Sequence, residues 1–240
     1  MEPPFQFILG CLLLMVFIGC APVDCLSACY LDKSLTIDGN LSDWPKARDK
    51  IVVTDRKIAQ GGIKRILSDN RISCTSAWDT EYLYLAFQVD DTQLNAVQIK
   101  RDHTELYLDD MVEFLLDPLC DASDLWLPDD MVYHINLLGT VKDDRGTVAG
   151  KKNIAWNGTA KYALKLQGTL NNDTDLDGGY ILEVAIPWEE LGVTPISGLE
   201  LGYNFANGDN DGKGRQLFDW RSAWPMRNPR QFGTIELIKE

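Results

Sequence analysis

The chain has 240 residues, 45% of them hydrophobic, enough to bury one substantial core at a length where an all-β sandwich is commonly a single domain. Its 36 acidic against 23 basic residues leave a formal net charge of -13, and no run of Lys and Arg with interleaved aromatics offsets it. Such a surface repels a phosphate backbone, which excludes nucleic acid as a partner, and suits neutral sugars, divalent cations or solubility alone.

From Phe5 to Gly19 the chain is almost wholly apolar, F-Q-F-I-L-G-C-L-L-L-M-V-F-I-G. This matches a signal-peptide h-region and falls short of the ~20 residues that span a bilayer. Met1 to Gln6 carries no Lys or Arg, a departure from the basic start of such leaders. Residues 1–20 are read as a signal peptide and the protein as secreted or held at the cell surface. Two cysteines stand in contexts resembling a lipobox, F-I-G-C at Cys20 and L-S-A-C at Cys29. A lipid anchor at either, with the leader reaching residue 28 in the second case, stands beside ordinary cleavage after Ala21. Membrane contact is expected only through such an anchor. Residues 21–34 then read as a short linker and 35–240 as the folded domain.

The domain opens on L-T-I-D-G-N-L-S-D-W-P-K-A (Leu35 to Ala47), read as a short strand, an Asp-Gly turn and a tryptophan that plugs the core. Strands follow at Arg71–Ala77, Tyr82–Val89, Met111–Asp117, Val132–Leu138, Ala160–Gln167, Gly179–Ile186, Leu199–Ala206, Gln216–Trp220 and Phe232–Ile238. Turn residues such as Asn157-Gly158, Asp177-Gly178-Gly179 and Asn207-Gly208 separate them. The one helical turn is P-W-E-E-L-G (Pro187 to Gly192), with proline leading and glycine just past the end. Period-two alternation puts Leu83, Leu85, Phe87 and Val89 on one face, and Val112, Phe114 and Leu116 inward with Glu113 opposite. The fold class is all-β, an antiparallel β-sandwich with jelly-roll-like connections.

Outside the apolar h-region the cysteines are Cys20, Cys25, Cys29, Cys74 and Cys120, with no paired C-x-x-C for structural zinc. Cys74 and Cys120 pairing, Cys25 and Cys29 joining the set, and free buried thiols all remain open. Trp44, Trp78, Trp188 and Trp220 are read as core, Trp126 and Trp156 as loop rings.

The ordered segments I-D-G-N-L-S-D-W, W-D-T-E-Y-L-Y-L-A, D-D-M-V-E-F-L-L-D, G-Y-I-L-E-V-A-I-P-W, L-G-Y-N-F-A-N-G-D-N-D-G and F-G-T-I-E-L span Leu35 to Leu237. In that order they resemble the family 9 carbohydrate-binding modules. The resemblance implies a β-sandwich, structural calcium and a slot that grips a sugar, often the end of a glucan or xylan chain. A pyranose offers C–H groups on its faces and hydroxyls round its edge, so a slot needs flat rings and a few convergent polar groups. Counting back from Glu113, one implied clamp aromatic is Tyr107. Counting back from Phe232 and Gly233, the other position is Met226, with Trp224 the nearest ring. Glu113 and Asn136 match polar positions of the family, His134 stands where it has an arginine, and Arg215 is near another sugar-contacting arginine. The implied partners are an oligo- or polysaccharide and the glycoside hydrolases to which such modules are attached.

For calcium the densest oxygen cluster is N-G-D-N-D-G-K-G (Asn207 to Gly214), with Asp209 and Asp211 as ligands. A second candidate uses Asp90, Asp91, Asp109 and Asp110 at strand ends. Enzymatic readings have little behind them. There are only two histidines, no G-x-S-x-G elbow and no phosphate-cradling loop, and Glu113 with Glu183 is the nearest carboxylate pair a glycosidase would use. Non-catalytic carbohydrate binding in polysaccharide recognition or degradation is the expected function. A structural or adhesive protein that kept the fold and lost the slot is second. A haem-binding sandwich, with axial ligands drawn from Met111, Met131, His103 and His134, is third and lacks a recognisable haem context.

Overall fold

The computed structural model describes residues 25–46, 49–56, 66–211, 216–221 and 225–239. Its strands are β1 (Cys25–Tyr30), β2 (Ile51–Arg56), β3 (Ile66–Trp78), β4 (Tyr82–Asp90), β5 (Met111–Asp117), β6 (Met131–Asn136) and β7 (Val141–Gly146). They continue with β8 (Lys152–Asn153), β9 (Lys161–Leu166), β10 (Tyr180–Pro187), β11 (Glu200–Asp209), β12 (Gln216–Asp219) and β13 (Gly233–Ile238). One helical turn, α1 (Trp188–Leu191), ends on Gly192 in the left-handed conformation at φ 71°. Among the described residues no helix is long and apolar enough to cross a membrane.

The hydrogen-bonded order is β8-β7-β6-β5-β11-β13-β1-β3-β4-β10-β9, with β12 on β11 and β2 on β3. β4 and β5 are five neighbours apart on this path, roughly 24 Å if the sheet were flat. Yet Phe87 of β4 stacks on Phe114 of β5 with ring centroids 5.8 Å apart, and lies tilted against Phe205 of β11 at 5.9 Å. The sheet therefore folds over on itself into two facing layers, which is a sandwich. Leu83, Leu85, Phe87 and Val89 fill the interior with Val112, Phe114 and Leu116, as period-two alternation requires. Glu113 and Glu183 project from the outer faces of opposite layers, because their neighbours Val112, Phe114, Leu182 and Val184 point inward.

Several expectations are revised. The 21–34 linker contains β1, which lies parallel to both β13 and β3 and buries Leu26 and Ala28 completely. The sheet is thus antiparallel except at β1. Lipidation at Cys29 would require cleavage inside this strand and would remove both core residues. Leu35 to Ile37 is not a strand; the chain there leads to a short 3-10 turn, Leu41–Asp43, ahead of buried Trp44. β2, β7 and β8 were not anticipated. Cys25, Cys29, Cys74 and Cys120 are all unbridged, and burial pushes the Cys74 thiol, 3.2 Å from the Tyr203 hydroxyl, up to about 12. Met131 sits in the core while His134 faces outward from the same strand, so the two do not form an axial pair. The leader and Cys20 lie outside the described residues.

The Glu183 carboxylate serves the fold. It is fully buried and accepts the backbone amides of Asp38 (3.0 Å), Gly39 and Asn40 (3.1 Å) and the Trp44 indole N–H (2.6 Å). Gly39 has φ 81°, and a Cβ there would lie 2.8 Å from Lys165 Cβ, so the Asp-Gly turn can close over Glu183 only with glycine. The pairing of Glu113 with Glu183 as glycosidase carboxylates is excluded by this geometry, since the whole interior separates them.

Candidate functional site

The outer face of β5, β6, β7 and β8 carries a cleft of about 440 Å³. Glu113 on β5 stands opposite His134 on β6, and His134 opposite Lys142 on β7, so the register alone aligns three polar side chains across the sheet. Asp144, two residues on, shares the Lys142 face, and Lys152 of β8 pairs with Gly146 beyond it. Tyr107, in the 3-10 turn Leu106–Leu108, lines the cleft and is 40% exposed. Pro225, Met226 and Arg227 line the wall on the other loop, with Ile154 also on the lining.

Electrostatic pairing orders the cleft floor. Arg227 donates to Asp144 at 2.7 and 3.3 Å, and its guanidinium lies 5.8 Å from the centroid of the Trp126 ring. The Trp126 indole N–H donates to the same carboxylate at 3.1 Å. His134 Nδ1 is 3.6 Å from Glu113 Oε2, and His134 Nε2 is 3.5 Å from Arg227. Both Glu113 and His134 are more than nine-tenths buried, so they are held in place before any ligand arrives.

Of the residues singled out from sequence, Tyr107, Glu113, His134 and Met226 meet in this one cleft. Met226 is 7% exposed and packs with Leu115, Trp126, Val132 and Ala206, so it supplies an apolar wall without a flat ring. Asn136 is not brought in. Its amide donates to Gln98 O and Asp109 Oδ2, and its oxygen accepts from Leu138 N and Thr140 N, so it fastens two loops beside the sheet. Arg215 and Trp224 lie outside the described residues. Lys142, Asp144, Lys152 and Arg227 were missed. Three of them sit on β7 and β8, whose charged sequences V-K-D-D-R-G and K-N do not read as strands; Arg227 sits in a loop, where no periodicity marks a charge.

A larger hollow of about 550 Å³ is lined by Asn95, Asp109, Asn171, Asp173, Asn210 and Asp211 among others. Among the described residues no aromatic side chain lines it, so they offer no platform there for a sugar face.

Two acidic groups have carboxylate oxygens within 4.8 Å of one another, Asp91 with Asp209 and Asp211, and Asp117 with Asp129 and Asp130. The first joins Asp91 of the second calcium candidate to Asp209 and Asp211 of the first, since the β4 end brings Asp91 to the β11 end; Asp90, Asp109 and Asp110 are not in that group. Asp110 beside it is fully buried; burial pushes its carboxyl up to about 8, with the charges of Asp91 and Asp211 adding to the rise and amides of Asn95 and Asn210 opposing it. In the second group Asp130 Oδ1 and Asp129 Oδ2 are buried without a hydrogen-bond partner. Converging hard oxygens in both groups fit a calcium ion.

Comparison with known proteins follows the same lines. Residues 37–240 match the family described as Carbohydrate family 9 binding domain-like. The chain is 25% identical over 210 residues to the endo-1,4-beta-xylanase A of Thermotoga neapolitana, covering 85% of this chain but 17% of that protein. Its fold resembles a carbohydrate binding module family 9 from Caldicellulosiruptor kristjanssonii solved with cellotriose, at TM-score 0.65 and 22% identity over 90% of this chain and 94% of that one. A carbohydrate binding module family 9 from the same organism solved with glucose gives TM-score 0.62 and 21% identity over 90% of this chain and 96% of that one. With most of its length matched by the family's sequence pattern and its two-layer fold shared with a solved module, this chain belongs to the carbohydrate family 9 binding domain-like family.

Proposed function

We propose that the cleft bounded by Tyr107 and Met226 grips a sugar of a β-glucan or xylan type chain, in extracellular recognition or degradation of polysaccharide. The observation that carries the reading is the convergence of an exposed ring, Tyr107, with two buried polar groups, Glu113 and His134, in one cleft. The chain works as a binding module and not as a catalyst, consistent with its family. Cellotriose and glucose in the solved relatives and the xylanase context of the sequence relative support the choice of glycan. Attachment to or cooperation with glycoside hydrolases follows from the same context, as does export, whether free or anchored at Cys20. Calcium held by Asp91, Asp209 and Asp211 would neutralise carboxylates that otherwise repel one another where β4 and β11 end.

Titrating the intact protein with cello- and xylo-oligosaccharides while following tryptophan fluorescence tests the reading. Saturable quenching is expected, because the Trp126 ring packs against Arg227, which lines the cleft. A flat response to every oligomer favours a second reading, a structural or adhesive sandwich without a working slot. Met226 in the second clamp position is the observation on its side, since a thioether offers less stacking than a ring.

A further inference from the structure

The charge balance inside the cleft is opposite to that of the molecule. The lining carries Lys142, Lys152 and Arg227 against Glu113 and Asp144, in a chain of net charge -13. Arg227 is committed to Asp144 at 2.7 Å, with side chains 18% and 3% exposed, so that pair is neutral as a unit. Glu113 faces His134, both almost wholly buried. The two lysines have no such counterpart. Lys142 donates to the Thr104 carbonyl at 3.3 Å, a neutral acceptor, and among the described residues the Lys152 side chain has no hydrogen-bond or ion-pair partner. Partial burial, together with the positive charges of Arg227 and Lys142, holds the Lys152 ammonium below the ordinary lysine range, against the opposing pull of Asp144 and Glu113. Two cations therefore rim a cleft whose internal acids are already occupied. They stand on adjacent strands, β7 and β8, and line the same cleft as Tyr107.

We infer that the sugar this cleft selects carries an anionic group, a uronate carboxylate or a sulfate ester, which Lys142 and Lys152 receive while its ring lies against Tyr107. The inference rests on the reading of this cleft as a glycan site and narrows it to acidic chains, such as xylan bearing uronic acid. Ammonium groups pair with such oxyanions through charge-assisted hydrogen bonds. The acidic surroundings make the preference local, since charges more than a Debye length of roughly 8 Å away are screened at physiological salt.

The experiment compares three ligands by calorimetric titration of the full chain: xylotriose, xylotriose bearing one glucuronic acid, and xylotriose bearing one sulfate ester. At least one acidic ligand is expected to bind about tenfold or more tightly than xylotriose at low salt. The advantage should shrink with added sodium chloride, and the tighter of the two anions identifies the source. The double variant Lys142→Gln/Lys152→Gln should lose the preference and bind all three ligands alike. Equal affinities in the wild type, a preference for the neutral ligand, or a preference that survives in the double variant would each overturn the acidic-glycan inference while leaving the glycan site standing. Absence of binding by all three would overturn the site itself.

Discussion

Arg227 holds Asp144 at 2.7 Å with its guanidinium over Trp126, so one side chain joins the 225–227 loop to β7. Arg227→Met should leave the Asp144 carboxylate buried without its counter-charge. A loss of about 3 kcal/mol in urea unfolding is expected, with Arg227→Lys recovering only part, because an ammonium cannot keep both the paired donors and the ring contact. An unchanged unfolding midpoint for Arg227→Met would show that the pair does not organise the floor.

Glu183→Gln offers the complementary case on the opposite layer. The amide keeps one acceptor but points an NH₂ at groups that are themselves donors, three backbone amides and the Trp44 indole. Stability should fall by about 2 kcal/mol while oligosaccharide affinity stays unchanged in the fraction that folds. Loss of binding in a fully folded Glu183→Gln protein would contradict the separation of scaffold and site.

Acid sensitivity should trace to Asp79. Burial pulls its carboxyl upward, but the Ser34 and Tyr84 hydroxyls and the amides of Glu81 and Tyr82 outweigh that, and it lies below the ordinary value of 3.8. A depressed folded pKa contributes stability that is complete above pH 3.8 and is lost as the pH falls through the folded value. Melting curves between pH 2 and pH 6 should therefore show a steeper acid decline for the wild type than for Asp79→Asn, which starts lower. Parallel declines would assign the effect to other carboxylates.

Calcium is checked by removal. Chelation should lower the melting temperature by about 5–10 °C if calcium is present at roughly a hundred times its Kd. Asp209→Asn should reduce that difference, and Asp130→Asn would do so only if the second acidic group also holds an ion. A melt indifferent to chelator rejects structural calcium at both.

Tyr82 to Asp90 and Met111 to Asp117 were legible from sequence because alternation is a local property, set by which face each side chain meets. α1 was legible for a similar reason, since proline and glycine act on their own dihedrals. β7 was not. Asp143 and Asp144 are buried there only because Arg101, 42 residues earlier, and Arg227, 83 residues later, neutralise them. No window along V-K-D-D-R-G contains those partners. β1 was hidden for another reason: it is short, follows an apolar leader and earns its place by parallel pairing with β13, at the other end of the chain. The same distinction runs through the cleft. Tyr107 and Glu113 belong to a strand and its approach that read clearly, whereas Lys142, Asp144 and Lys152 belong to strands defined by distant charges. Asn136 shares the outer face with His134, yet the loop between Gln98 and Asp109 covers it, and loop placement is invisible to periodicity.

The central claim is that a sugar ring rests on Tyr107. Calorimetric titration of wild type and Tyr107→Ala with one glycan found to bind, after melting curves confirm that both are folded, tests it directly. Tyr107 is 40% exposed, so its truncation should spare the fold, and the account predicts an affinity at least about tenfold weaker. Undiminished affinity in a folded Tyr107→Ala protein would contradict the account and move the sugar away from this cleft wall.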